Sequence, residues 1–152
     1  MSNICTSIEQ SRKLLELGLD PNTADMYYQK ILPKSDKIEH NPKVGNPLDC
    51  LEWYNKGYTA FGKEPLKLEE HCIPAWSLSD IIELIPEYIT LDVYPYSHDE
   101  PMVYSLQINK NEIEYFNNIT ELSITKLGKS LLDASFNMVL WLIENYYIKI
   151  EE

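Results

Sequence analysis

Apolar positions follow helical spacing in separate stretches up to residue 85, alternate between 88 and 115, and return to helical spacing from 130 onward. Thr6-Ser7-Ile8-Glu9 has capping-box spacing, with Thr6 and Glu9 placed to satisfy each other's backbone donors. Ile8, Leu14, Leu15 and Leu17 give this first helix an apolar stripe, and Gly18 and Pro21 end it. Asp20-Pro21-Asn22-Thr23 reads as a turn. From Pro33 to Pro47 the chain is polar and proline-rich, which predicts a long loop around 33–46. Asn46 and Pro47 then open a short helix near 47–56, with Leu48, Leu51 and Tyr54 on one face and Gly57 as its stop. Tyr58 to Cys72 reads as loop or short extended pieces. Ser77 caps a helix over 78–85, with Asp80 at the third position, Trp76 poised to staple onto Ile81, and Pro86 as terminator.

In the alternating region, Ile89, Leu91 and Val93, then Tyr104, Leu106 and Ile108, then Ile113 and Tyr115 occupy every second position. Asn109-Lys110-Asn111 supplies turn chemistry, so three strands in a short antiparallel meander are predicted, with one face buried. Ser130 caps the strongest helix, which runs to about Asn145 with Leu132, Phe136, Val139 and Ile143 as its main stripe. Trp141 falls on its narrow polar side. The predicted class is α+β: a three-stranded meander packed against a long C-terminal helix and two or three other helices. The length of 152 residues fits one domain spanning 1–152. No internal repeat is visible.

Charge adds direction. The formal net charge is −11, and it is uneven: residues 1–76 carry nine basic and eleven acidic side chains, residues 77–152 four and thirteen. Such a field favours a partner with a basic surface and disfavours direct contact with nucleic acid or anionic lipid. A solvated acidic surface that keeps the protein soluble is the plain alternative. No apolar run reaches the roughly 18–20 residues of a membrane span. Met1-Ser2-Asn3-Ile4-Cys5 has neither the basic region nor the apolar core of a signal peptide. Three cysteines without a Cys-x-x-Cys pair predict reduced thiols and a cytoplasmic protein.

Candidate chemistry is sparse. His71 and Cys72 are adjacent, with His40, Cys50 and His98 elsewhere, and this spacing does not form the close ligand pairs of a zinc site. Cys50 or Cys72 beside a histidine would make a nucleophile only through the fold, and a buried core thiol is the competing reading. Glu69-Glu70, Asp99-Glu100 and Glu112/Glu114 are paired carboxylates without a sign of the desolvation that acid–base catalysis needs. The five glycines are too scattered for a phosphate loop. No cofactor, metal or catalytic residue is therefore assigned.

Eleven tyrosines and three tryptophans are the richer signal. Trp53, Tyr58, Tyr94, Tyr96 and Trp141 fall where the pattern predicts loops or exposure, and His98 shares the loop of Tyr94 and Tyr96. Large rigid rings suit interfaces and ligand pockets. The same rings would also serve to close the margins of a small core. Trp141 is in addition a candidate homodimer contact.

Three segments carry a resemblance: Thr6-Ser7-Ile8-Glu9-Gln10-Ser11 through Leu14 to Met26; Ile73-Pro74-Ala75-Trp76-Ser77-Leu78 with Leu84-Ile85-Pro86; and Leu131-Leu132-Asp133-Ala134 with Trp141-Leu142-Ile143-Glu144-Asn145. Together they resemble a family of small, mostly uncharacterised proteins of Bacteroides-type gut bacteria and their phages or mobile elements. The resemblance implies a setting and no reaction. The expected function is a non-enzymatic acidic protein that binds or modulates another protein, with an inhibitor that mimics DNA as its sharpest form. The alternative is a binder or sponge for a nucleotide-type small molecule, stacking on Tyr94, Tyr96 and Trp53.

Overall fold

The computed structural model describes residues 4–91, 102–117, 123–148 and 150. The chain divides into two compact units, residues 1–80 with 150–152, and residues 81–149.

In the first unit, α1 (Ile8–Glu16) begins one residue later than the sequence cue. Ser7 is its N-cap and the capping box closes on Gln10, not on Glu9. Thr6 is buried instead, bonded to Ser11 Oγ at 2.8 Å and accepting the Trp76 amide at 3.1 Å. Of two adjacent hydroxyl residues, the buried one is claimed by tertiary partners and the exposed one is left to cap. Gly18 takes φ +96°, the left-handed stop that the sequence predicts.

A 3₁₀ turn over Pro21–Thr23, capped by Asp20, leads into β1 (Met26–Gln29). This strand pairs antiparallel with β2 (Lys43–Val44) on one side and β3 (Cys72–Ala75) on the other. β2 lies inside the polar stretch 33–46, which is otherwise loop and bridge. Lys30 donates to the His71 carbonyl, so by register 28/73 and 26/75 are the bonded pairs. Pro74 sits opposite Tyr27 in a non-bonded pair, where its missing N–H removes no ladder bond.

On one face of this sheet, Cys5, Met26, Tyr28, Ile73 and Ala75 form a core that Ile8 and Leu15 of α1 and Ile38 cover. Trp76 is fully buried, and its indole N–H donates to Thr23 Oγ1 at 2.9 Å. Tyr27 points to the opposite face. There its hydroxyl accepts the Cys50 thiol of α2 (Pro47–Ala60) at 3.1 Å. Asn46 caps α2 through the amides of Leu48 and Asp49, and its own amide group reaches back to Asn22. A single turn, α3 (Leu68–His71), feeds β3. The next helix, α4 (Leu78–Leu84), starts at Ser77, whose hydroxyl accepts the Asp80 amide and donates to Asp25.

The second unit holds β4 (Tyr88–Leu91), β5 (Met102–Ile108), β6 (Glu112–Phe116) and β7 (Ser123–Leu127), antiparallel and in sequential order. The long C-terminal helix α5 (Leu131–Glu144) packs against β6 and β7. Ile89, Tyr104, Ile113 and Tyr115 are buried, while Tyr88, Val103 and Leu127 stand exposed. The class is thus α+β, with the predicted meander extended by a fourth strand and a separate three-stranded sheet in the first unit. Ser130 caps α5 through the Asp133 amide, and Leu132, Phe136, Val139 and Ile143 are all buried along it.

Candidate functional site

α2 does not stop at Gly57. It runs to Ala60 and ends in a Schellman motif around Phe61: Gly62 takes φ +76° and donates to the Thr59 carbonyl, while Lys63 donates to that of Tyr58. The extra turn places Tyr58 on a regular helix and Phe61 at its C-cap. Trp53, Gly57 and Phe61 recur at intervals of four residues and so share one face. Trp53 is 76% exposed and Phe61 86%. Between them Gly57 leaves a gap.

That gap is a notch of about 430 Å³, lined by Trp53, Tyr54, Gly57, Tyr58, Phe61 and Lys63, with Lys56 also on its wall. Gly57 has no positive φ, and a Cβ built on it would meet nothing within 4 Å. Neither backbone conformation nor close packing requires a glycine there. Tyr54 and Tyr58 form the next stripe, their ring centroids 5.4 Å apart. Lys63 Nζ lies 5.0 Å from the centre of the Tyr58 ring, and the His71 ring lies 4.9 Å from that of Tyr54. Tyr54 thus anchors the notch wall to the core, while the two largest apolar rings face water.

His71 is 4% exposed, and its Nε2 has no hydrogen-bond partner among the described residues. Burial, with the charge of Lys43 second, holds its pKa below the ordinary histidine value. The ring therefore carries no positive charge at neutral pH and serves as a packing surface. The three thiols are free. Cys72 is 1% exposed, and burial, then the neighbouring Cys50, pushes its pKa up to about 12. At neutral pH it remains a protonated thiol, the opposite of what an attacking cysteine needs. Cys5 is likewise raised, first by burial, with its sulfur 3.5 Å from the Tyr28 hydroxyl. Among the described residues, no group of three or more histidine, cysteine or acidic side chains is placed to hold a metal ion.

Of the aromatic candidates, Trp53 and Tyr58 meet in the notch. Trp141 lies in the second unit, half-buried, with its ring stacked on Tyr147 at 5.5 Å and 15° between planes. Tyr147 donates from its hydroxyl to the Thr90 carbonyl at 3.0 Å. An aromatic partner within the unit thus accounts for tryptophan on the polar side of α5. Tyr94, Tyr96 and His98 lie outside the described residues. Phe61 escaped the sequence reading, since a helix ending at Gly57 leaves Phe61 in a loop; the glycine five residues beyond Gly57, Gly62, was the signal. No family model, curated protein or solved structure matches the chain. No helix among the described residues is long and apolar enough to cross a membrane.

Proposed function

We propose that this is a non-enzymatic protein-binding module and that the notch on α2 is its docking point. The observation that carries the reading is the pair of exposed rings, Trp53 and Phe61, flanking a glycine that the helix does not need. An isolated helix surface gains nothing from this arrangement: two large apolar side chains lose water contacts only when a partner covers them. A protruding apolar side chain from a partner would enter over Gly57 and bury both rings, the geometry of an interface anchor. The net charge of −11 supports a partner whose surface is basic, drawn in at long range and anchored at the notch. The setting implied by the resemblance, a small protein of gut bacteria and their phages or mobile elements, fits this reading.

Affinity capture from the source cells tests it. The intact chain should retain a specific protein, and Trp53→Ala or Gly57→Leu should reduce that retention at least about tenfold, as interface anchors do. Equal capture by all three forms, or no specific capture, removes the notch as a docking point. A nucleotide-type ligand stacked on Trp53, with Lys56 and Lys63 near its phosphate, is the second reading. It requires that a nucleotide raise the melting temperature of the intact chain and that Trp53→Ala abolish the shift.

A further inference from the structure

A second and larger cavity lies wholly within the first unit, beside β3 and below α1. Its volume is about 580 Å³, within the range of small-molecule sites. Leu15, Leu19 and Ile73 supply apolar walls, and Arg12 and Lys30 supply two cations. Arg12 is the single arginine of the chain. Neither cation makes an ion pair through its side chain among the described residues, whereas Lys34 and Lys43 pair with Glu70 and Glu39. Glu69, exposed on the same rim, leaves a local balance of one positive charge in a molecule that carries −11. Two unpaired cations over an apolar pocket describe the complement of a molecule with a negative head and a greasy body.

We infer that this cavity binds a small amphipathic anion, a medium-chain carboxylate or alkyl phosphate. Its head lies between Arg12 and Lys30 and its tail against Leu15, Leu19 and Ile73. The guanidinium fork donates to carboxylate and phosphate alike, so the shared chemistry is a compact oxyanion on an alkyl chain. The reading is independent of the notch, because no residue of one site lines the other.

Titration calorimetry of the full chain with octanoate, octyl phosphate and 1-octanol tests it. At least one of the two anions should bind, and octanol, which keeps the tail and lacks the charge, should bind at least about tenfold more weakly. Tighter binding of octanoate assigns the head as carboxylate, and tighter binding of octyl phosphate assigns it as phosphate. Arg12→Gln, an exposed position on α1, should weaken the anion by about tenfold and leave the circular dichroism spectrum unchanged. Gly57→Leu should leave anion affinity as it was. The inference is overturned if neither anion binds, if octanol binds as tightly as the anions, or if Arg12→Gln changes nothing.

Discussion

His71 shows how a residue that looks chemical can be structural. Its ring is buried against that of Tyr54, and its Nε2 is buried without a partner among the described residues. An unmade bond at a buried nitrogen costs free energy that a ring of similar shape without the nitrogen would not incur. His71→Phe should therefore leave stability at pH 7.5 unchanged or raise it by up to about 1 kcal/mol. The pH dependence has a definite sign. With the folded pKa lowered, the unfolded chain binds more protons as pH falls below the ordinary histidine value, so the native state loses stability on acidification. Urea unfolding at pH 7.5 and 5.5 should show this loss in the natural chain and a smaller loss in His71→Phe. Glu70 shifts in the same direction but titrates lower, its carboxylate favoured first by the Lys67 backbone amide and then by Lys34. An equal loss in both proteins would place the acid sensitivity elsewhere.

At the scale of the element, two glycines without positive φ have opposite roles. Gly128 joins β7 to α5 where a Cβ would lie 2.5 Å from the Ala134 amide nitrogen, so Gly128→Ala must displace the start of α5 and should cost roughly 1–3 kcal/mol. Gly57, inside α2 with open space above it, should give the reverse: Gly57→Ala stabilises by about 0.5–1 kcal/mol through helix propensity alone. Thermal or urea unfolding of the two variants checks both signs, and a destabilised Gly57→Ala would show that the helix needs the glycine after all. The same pair marks what a sequence can disclose about elements. Caps were legible because Asn46, Ser77 and Ser130 act within one turn of themselves. β1 and β3 were not, because Met26 to Tyr28 and Cys72 to Ala75 are buried throughout and a strand without a solvent face has no period of two. β7 was hidden differently: Lys126 lies on its half-buried side with Ile124, and Leu127 faces out, so its polarity does not alternate cleanly. Two residues of the notch, Trp53 and Tyr58, were visible as misplaced aromatics. The cavity of Arg12 and Lys30 was invisible, since its walls come from α1, the turn after it, β1's end and β3, and only the fold brings them together.

For the whole molecule, charge and notch should separate in time. A field of −11 acts over a Debye length of about 8–10 Å at physiological salt, whereas buried rings act only on contact. If the partner is basic, attraction sets how often the two proteins meet, and Trp53 and Phe61 set how long they stay. Surface plasmon resonance on the captured complex distinguishes the two contributions. Raising salt from about 50 to 500 mM should cut the association rate at least about tenfold and change dissociation little. Trp53→Ala should do the converse, accelerating dissociation at either salt concentration because most losses at an anchor appear in the off-rate. The rim of the notch carries Lys56 and Lys63, so the negative field must come from acids spread over the rest of the chain, with residues 77–152 carrying the larger share. Neutralising Glu112 and Glu114 on the outer face of β6 should then lower the salt sensitivity while leaving dissociation untouched. An association rate indifferent to salt would assign the acidity to solubility alone and leave the proposed docking at the notch without electrostatic steering.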